Sequence, residues 1–370
     1  MATTLKLTAV NAVLSVSFCG VIMKERGGLG ESRGAFLADN KRWGSGGWGP
    51  KRKNTWADVV AQGVGGLRLA EWLMIVALGM ADDQCVIETL GCLRERGEAA
   101  AFLQQDQLRL ALQLSWHLPA GAGQDYLVLE GRRVGLRELQ GVLVRLQHPF
   151  PTIKVHASDD EAYMETELSA TVYGLLRALA CPVINRPRPG VYARHLGNRW
   201  HAKEVISSGL ALPETLVTDD AKEAAAFLGR QGRTLLAAGT GGVLLEGAAG
   251  ERSLRESEAT SFNVIAVGSG RWRRVFVAGT EVFAAEVDSP VAAGEWVQSE
   301  LPARLGTRCK DLAARLDLQF AEVLVQSGED GREVAVGLSD MPDLARCSAA
   351  LGQAVARALA TALAHGRDAT

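Results

Sequence analysis

The sequence lacks three features that would point directly to a class of function: paired cysteines, a long apolar run and an excess of one charge. Its six cysteines show neither CxxC nor Cys/His metal spacing, which argues against structural zinc and favours a reducing cytosol. No run of 18 apolar residues occurs, so the sequence predicts no membrane span. With 40 basic and 42 acidic side chains, the net charge of -2 favours neither nucleic acid nor anionic membrane. We therefore expect a cytoplasmic protein whose partners are determined by local features.

Motifs of common enzyme classes are missing too. The six histidines show no HxH or HExxH spacing, and neither GxSxG nor GxxxxGKS occurs. Zinc peptidases, hydrolases with a nucleophile elbow and P-loop enzymes are thus not indicated.

Residues 1–73 differ from the rest of the chain. Gly27 to Trp56 is rich in Gly, Trp, Lys and Arg and has neither helical nor strand periodicity. We interpret residues 1–73 as a poorly structured extension, or as upstream sequence translated from a misplaced start with Met74 as the true initiator. The alternative is a nucleic-acid-binding tail, in which Trp43 and its neighbouring tryptophans stack on bases while Lys51 to Lys53 contact phosphates.

An α/β lobe is predicted next. Trp72 to Gly79 has the pattern of a buried strand, and Asp82 or Asp83 is a candidate cap of the following helix. A helix-like segment from Leu136 to Gly141 leads into another apolar stretch, and a long helix begins near Ser158. This order predicts a small Rossmann-like domain.

The second half is dominated by strands. Thr234 to Ala237 and Val243 to Glu246 flank a glycine-rich turn, and Arg274 to Ala278 forms a predicted hairpin with Val282 to Val287. A helix from Asp343 to His365 closes the chain.

Three segments carry a resemblance to a known family. Cys181 to Asp220 contains CPVINRP and NRWHAKEVISSGLALPETLVTDD, Arg274 to Glu286 reads RVFVAGTEVFAAE, and Leu316 to Gly331 is the third segment. Together they resemble the ATP-grasp ligases, especially graspetide (microviridin-type) peptide maturases and ribosomal-protein glutamate ligases. The resemblance covers residues 74–366.

The resemblance implies α/β and α+β architecture in three parts. A Rossmann-like pre-ATP-grasp domain is expected at residues 74–185, an ATP-grasp lid or middle lobe at 186–262 and the C-terminal ATP-grasp lobe at 263–370. It also implies a nucleotide between the last two lobes, with magnesium held by carboxylates. Such ligases use ATP to activate a carboxylate for attack by an amine or hydroxyl.

The residues at the implied metal positions are not metal ligands. The expected Asp, Glu and Asn correspond to Leu324, Gly337 and Ser339, and a one-residue shift of register brings Asp340 or Glu322 towards the site. Loss of all three ligands would abolish magnesium binding.

The implied nucleotide contacts are changed as well. The phosphate lysine corresponds to Ala237, and the Asp before the hairpin arginine corresponds to Trp272, which leaves Arg274 as the candidate catalytic residue. Candidate cofactor-binding residues lie in the glycine-rich turn, in the adenine-hinge region and before the lid: Gly239, Gly241, Gly242, Asn263 and Lys203. A plain hairpin turn is the simpler interpretation of the glycines.

The sequence therefore predicts a catalytically degenerate ATP-grasp protein that binds a ribosomal precursor peptide or an active paralogue in peptide modification, with a homodimer left open. No cofactor is expected in that case. The alternative is an active ATP-dependent ligase, forming amide or ester bonds, that uses ATP and magnesium with displaced ligands.

Overall fold

The computed structural model describes residues 73–105, 108, 113–115, 125–129, 132–146, 159–187, 201–238, 241–256, 261–291 and 294–365. Within these ranges the strands form three four-stranded sheets and one three-stranded sheet, with helices packed on them. This mixed architecture confirms the predicted fold class. The predictions for residues 1–72 lie outside the described residues.

The elements have the following bounds. The strands are β1 (Met74–Gly79), β2 (Ala99–Gln104), β3 (Gln113–Ser115), β4 (Tyr126–Leu129), β5 (Arg132–Gly135), β6 (Leu139–Val144), β7 (Val183–Ile184), β8 (Thr215–Thr218), β9 (Arg233–Ala238), β10 (Gly241–Glu246), β11 (Phe262–Ala266), β12 (Arg271–Ala278), β13 (Glu281–Val287), β14 (Phe320–Ser327) and β15 (Glu333–Ser339). The helices are α1 (Gln84–Glu95), α2 (Asp159–Ala178), α3 (Ala202–Ser207), α4 (Ala221–Gln231), α5 (Gly247–Arg255), α6 (Ala303–Arg315) and α7 (Ala349–Ala364).

The first sheet is parallel, with strand order β2-β1-β6-β7. Asp83 accepts a hydrogen bond from the N–H of Cys85 at 2.9 Å, which caps α1 as one of the two predicted candidates. Leu136 to Glu138 forms a 3-10 turn, and Leu139 already belongs to β6. The prediction of a helix-like segment as far as Gly141 is therefore wrong beyond this first turn. Helix α2 covers the face of this sheet that also contacts the small sheet β3-β4-β5.

The second sheet has the order β10-β9-β11-β8, and β9 pairs antiparallel with β10, as the sequence predicts. Helices α4 and α5 pack on one of its faces, where Phe227 and Leu254 are buried with Val264. We call β8 to β11 with α4 and α5 the middle lobe.

The third sheet is antiparallel, with the order β13-β12-β14-β15. It contains the predicted hairpin as β12 and β13. Helix α6, which the sequence analysis did not identify, covers one face through apolar residues spaced four and three positions apart, Leu305, Cys309 and Leu312.

Helix α7 lies between the first and third sheets. Its residues Val355 and Leu359 are buried in one apolar cluster with Ile75 of β1 and Phe276 of β12. The helix begins at Ala349 rather than at the predicted Asp343, because Asp343 caps a separate 3-10 turn and the extended Cys347 interrupts the helical path.

Buried polar groups also join the first sheet to the third. The Arg145 guanidinium donates to Asp83 at 2.8 Å and to the carbonyl oxygen of Pro342 at 2.9 Å. Among the described residues, no helix has both the length and the apolar character needed to cross a bilayer.

Candidate functional site

The candidate residues of the third sheet lie on one face. Side chains alternate along the strands, so Trp272 and Phe276 point to the cluster around α7, whereas Val275 points to the cluster under α6. Arg274 therefore lies on the face that contacts the cluster around α7, as do Glu322, Leu324 and Gln326 on β14. We call this surface the site face.

Strand register brings the predicted positions together. Arg274 lies opposite Leu324, and Leu324 lies opposite Gly337, so the three form one row across β12, β14 and β15. The next row contains Glu322 opposite Ser339. The pairing of β14 with β15 shifts between Leu324 and Val325, because β15 has one extra residue, Val336, at this point. On either side of this bulge the side chains of β15 alternate between the two faces of the sheet.

Glu322 lies on the site face in the observed strand register, so the one-residue shift of alignment considered in the sequence analysis is not needed to bring it there. A shift by one residue would turn the side chain to the opposite face, whereas Glu322 is two residues from Leu324 and shares its face. Arg274 donates through Nη1 to Glu322 Oε1, so the only predicted catalytic candidate is engaged by this carboxylate. The pair was not predicted, because it depends on cross-strand register.

The segment after β13 holds the arginine from the other side. Arg274 Nη2 donates to the carbonyl oxygen of Pro290 at 2.8 Å, and the guanidinium carbon lies 4.1 Å from the ring centroid of Trp296. Trp296 is 3% exposed and its ring is 6.3 Å from that of Phe276. The Arg274 side chain is thus fixed by an acid, a carbonyl and an indole face.

Burial dominates the electrostatics of this pair. Glu322 is 7% exposed, and loss of hydration raises the pKa of its carboxyl group above the ordinary value, while Arg274 acts in the opposite direction. Because both Nη atoms of Arg274 are engaged within the protein, its guanidinium is less available to a phosphate.

The residues of the two rows do not fit a magnesium–triphosphate group. Leu324 and Gly337 offer no side-chain oxygen, and the Ser339 hydroxyl accepts a hydrogen bond from the N–H of Met341 at 3.1 Å. Asp340 follows the strand, and its carbonyl oxygen accepts from Asn185 Nδ2 at 2.6 Å. In the part of the chain that the structure describes, no three His, Cys, Asp or Glu side chains form a group suited to a metal ion. Magnesium prefers several hard oxygen ligands, and Leu324 and Gly337, two of the three expected ligand positions, supply none.

The remaining candidates lie on the middle lobe and on α3. Asn263 on β11 pairs with Val217 of β8, and among the described residues its buried Oδ1 atom has no hydrogen-bond partner. Gly242 lies opposite Ala237 in the β9–β10 hairpin, whereas Gly239 lies outside the described residues. Lys203 is exposed on α3, whose buried Val205 packs in the cluster beneath α6, on the face of the third sheet opposite the site face.

Apolar side chains surround the row of Arg274 and Leu324. Trp272, which stands in place of the expected acid, is 2% exposed. It belongs to the same apolar cluster as Leu235 and Ile265 of the middle lobe and Val267 of the linker that follows β11. The ion pair is thus surrounded by packed apolar side chains instead of a concentration of charge.

Reactive cysteines do not supply an alternative chemistry. Burial raises the pKa of the Cys85 and Cys309 thiols to about 12, so both are protonated at neutral pH. Desolvation likewise raises the pKa of Cys347, near the ion pair, to about 12. A thiolate nucleophile is therefore not available at these three positions.

No protein-family model and no curated protein matches this chain. Solved structures do: the macrocyclase MdnC bound with precursor peptide MdnA, from Microcystis aeruginosa MRC, is 12% identical with a TM-score of 0.64, over 78% of this chain and 99% of that chain. A RiPP-associated ATP-grasp ligase from Chryseobacterium gregarium, in complex with ADP and a leader and core peptide, is 16% identical with a TM-score of 0.63, over 80% and 97%.

A third similar structure is the ATP-grasp ligase PsnB complexed with precursor peptide PsnA2 and AMPPNP. It is 17% identical with a TM-score of 0.62, over 80% of this chain and 99% of that chain. Near-complete coverage of all three structures, at TM-scores of 0.62 to 0.64, shows that this chain has the ATP-grasp fold.

Proposed function

We propose that this chain is a catalytically degenerate relative of the ligases that modify ribosomal peptides, and that it binds a peptide or protein partner. The observation that carries the proposal is the Arg274–Glu322 ion pair, which lies beside Leu324 and Gly337 on the site face. The basic and acidic groups that a nucleotide and its metal would need are there engaged with each other.

Energetics support this interpretation. Phosphoryl chemistry requires several negative charges to be neutralised at once by metal and cationic side chains. Breaking a buried ion pair costs about 3–5 kcal/mol because it leaves one charge uncompensated. That cost would be reduced if a metal ion compensated Glu322 and a phosphate compensated Arg274, but Arg274 would still have to leave Pro290 and Trp296 to reach a phosphate.

A peptide partner is proposed from the related structures. MdnC, PsnB and the Chryseobacterium ligase were each solved with a precursor, leader or core peptide. A fold that retains peptide binding without ATP chemistry would deliver or hold a ribosomal precursor, alone or with an active paralogue.

The second candidate is an active ATP-dependent carboxylate ligase with displaced metal ligands. It is favoured by one observation: Glu322 is an acidic side chain on the site face, in the row next to Leu324. In that case magnesium and ATP would separate Glu322 from Arg274.

Calorimetric titration with Mg-ATP and Mg-AMPPNP distinguishes the two functions. We expect no binding heat for the wild-type chain. The comparison is Leu324→Asp/Gly337→Glu/Ser339→Asn, which restores the implied ligands; a Cβ at Gly337 would be 3.5 Å from the Leu324 Cβ, an ordinary contact. This variant should gain magnesium-dependent heat. Saturable, magnesium-dependent binding to the wild type would overturn the proposal.

Peptide binding is tested separately with fluorescently labelled MdnA and PsnA2. Anisotropy should rise on addition of the chain and should be the same with and without Mg-ATP. Binding that requires Mg-ATP, or formation of ADP with a mass loss of one water from the peptide, would establish the ligase instead.

A further inference from the structure

The short linker between β11 and β12 connects the middle lobe to the third sheet. Val267 is buried, and its N–H donates to the carbonyl oxygen of Arg233 at 3.2 Å, so the linker remains attached to β9 as it leaves the lobe. Residues 268–270 are exposed and precede β12 directly. Any rotation of the middle lobe relative to the third sheet must change the backbone of this linker.

Gln326 of β14 contacts the linker through both ends of its amide group. Its Nε2 atom donates to the carbonyl oxygen of Gly268 at 2.6 Å, and its Oε1 atom accepts from the N–H of Gly268 at 3.1 Å. Two bonds to one peptide residue fix orientation as well as distance. An exposed stretch of backbone is thus bound to a buried side chain of a central strand.

The surroundings of Gln326 make this contact hard to open. The residue is 5% exposed and lies between Trp272 and Val334 on the neighbouring strands. A buried amide that loses its partners loses more than the hydrogen bonds themselves, because water does not replace them. The amide therefore strongly favours the linker position in which Gly268 satisfies it.

The backbone beside Gln326 provides a second contact. Gly270 has φ of +148°, and a Cβ atom there would collide with the carbonyl oxygen of Ser327. The linker thus runs against the end of β14 at Gly268 and again at Gly270. The close approach depends on glycine at position 270.

We propose that Gln326 is a latch that holds the middle lobe in its observed orientation over the third sheet. Because Gln326 follows Glu322 and Leu324 on the same face of β14, a shift of this strand moves the latch together with the ion pair. The orientation of the middle lobe is in this way coupled to the site face. A ligand that opens the lobe must break both hydrogen bonds to Gly268.

Hydrogen exchange of the full chain, followed by mass spectrometry, tests the latch. Gln326→Met keeps the side-chain volume in an apolar environment and removes both bonds. We expect exchange across residues 262–272 to accelerate by about tenfold, the effect of roughly one net hydrogen bond, while α7 is unchanged. The matched control is Gln84→Met, which removes one side-chain hydrogen bond to Glu88 within α1 and should leave residues 262–272 unaffected.

A second variant separates the latch from simple loss of packing. Gln326→Glu retains an acceptor for the Gly268 N–H but lacks the donor until its carboxyl group is protonated. After correction for intrinsic exchange rates, protection of residues 262–272 should return as the pH is lowered in this variant and not in Gln326→Met. Unchanged exchange in both variants, or equal acceleration throughout α7, would overturn the proposal.

Discussion

The side chain of Asn185 pairs with the backbone of Phe320 as a neighbouring strand would. Its Oδ1 atom accepts from the Phe320 N–H at 3.1 Å, while Nδ2 donates to the Phe320 carbonyl oxygen at 2.6 Å. The same Nδ2 atom donates to Asp340, so the amide connects the start of β14 to the end of β15. Asn185 follows β7, and it therefore ties the first sheet to the third at the edge of the site face.

Replacing Asn185 should destabilise the junction of the two sheets. Asn185 has φ of +55°, which asparagine and glycine tolerate better than alanine. Asn185→Gly removes the hydrogen bonds without backbone strain and should lower the free energy of unfolding by about 2 kcal/mol, since backbone groups lose their partners and glycine loses more backbone freedom on folding. Asn185→Ala adds backbone strain of about 1 kcal/mol. Urea unfolding of both variants measures the two contributions, and equal stability of wild type and Asn185→Gly would contradict the structural role.

The Arg274–Glu322 pair should behave as a buried ion pair in a double-mutant cycle. Arg274→Met or Glu322→Leu alone leaves the other charge uncompensated and should cost about 3–5 kcal/mol. The double variant removes both charges from an apolar environment, so its stability should return close to that of the wild type. The coupling is obtained from urea midpoints of the four proteins. Additive losses would show that the two residues act independently.

The pH dependence of stability provides a separate test of Glu322. Because burial raises the pKa of this carboxyl group, the folded protein retains a proton that the unfolded chain has already released. Stability should therefore fall as the pH rises from the ordinary carboxyl value through the raised pKa, with a slope of at most about 1.4 kcal/mol per pH unit.

Glu322→Gln lacks this titration, so the comparison uses the difference in unfolding free energy between wild type and variant at each pH. The unfolding free energy of the wild type minus that of the variant should decrease as the pH rises from the ordinary carboxyl pKa through the raised pKa. An increase with pH would mean that the arginine outweighs burial and lowers the pKa.

Local periodicity and motif spacing predicted much of the fold. The β12–β13 hairpin followed from the sequence, because it depends on residues close in the chain. Leu324, Gly337 and Ser339 were identified only through the family resemblance, and their correspondence to metal-ligand positions stays a prediction. The start of α7 was predicted too early, since the capping signal of Asp343 also suits a 3-10 turn. Helices α5 and α6 were missed although the apolar spacing of Leu305, Cys309 and Leu312 indicates α6.

Contacts across the sheets were beyond sequence reasoning. The pair of Arg274 and Glu322 spans 48 positions, and the latch between Gln326 and Gly268 spans 58. Neither residue type nor spacing identifies such partners, because both depend on strand order and register. A glutamine that belongs to no sequence motif can therefore hold two parts of the fold in a fixed orientation.

Two glycines, one in β6 and one in α1, give opposite predictions for substitution by alanine. A Cβ atom at Gly141 of β6 would lie 2.9 Å from the carbonyl oxygen of Leu363, so α7 would have to move away from the first sheet. Overpacking of this kind costs about 1–3 kcal/mol.

At Gly91 within α1, no atom outside the local helix backbone lies within 4 Å of the new Cβ. Gly91→Ala should instead stabilise the protein by about 0.5–1 kcal/mol, because glycine loses more backbone freedom on folding. Thermal unfolding should thus shift down for Gly141→Ala and up for Gly91→Ala, and a rise for both would mean that α7 is not packed tightly on β6.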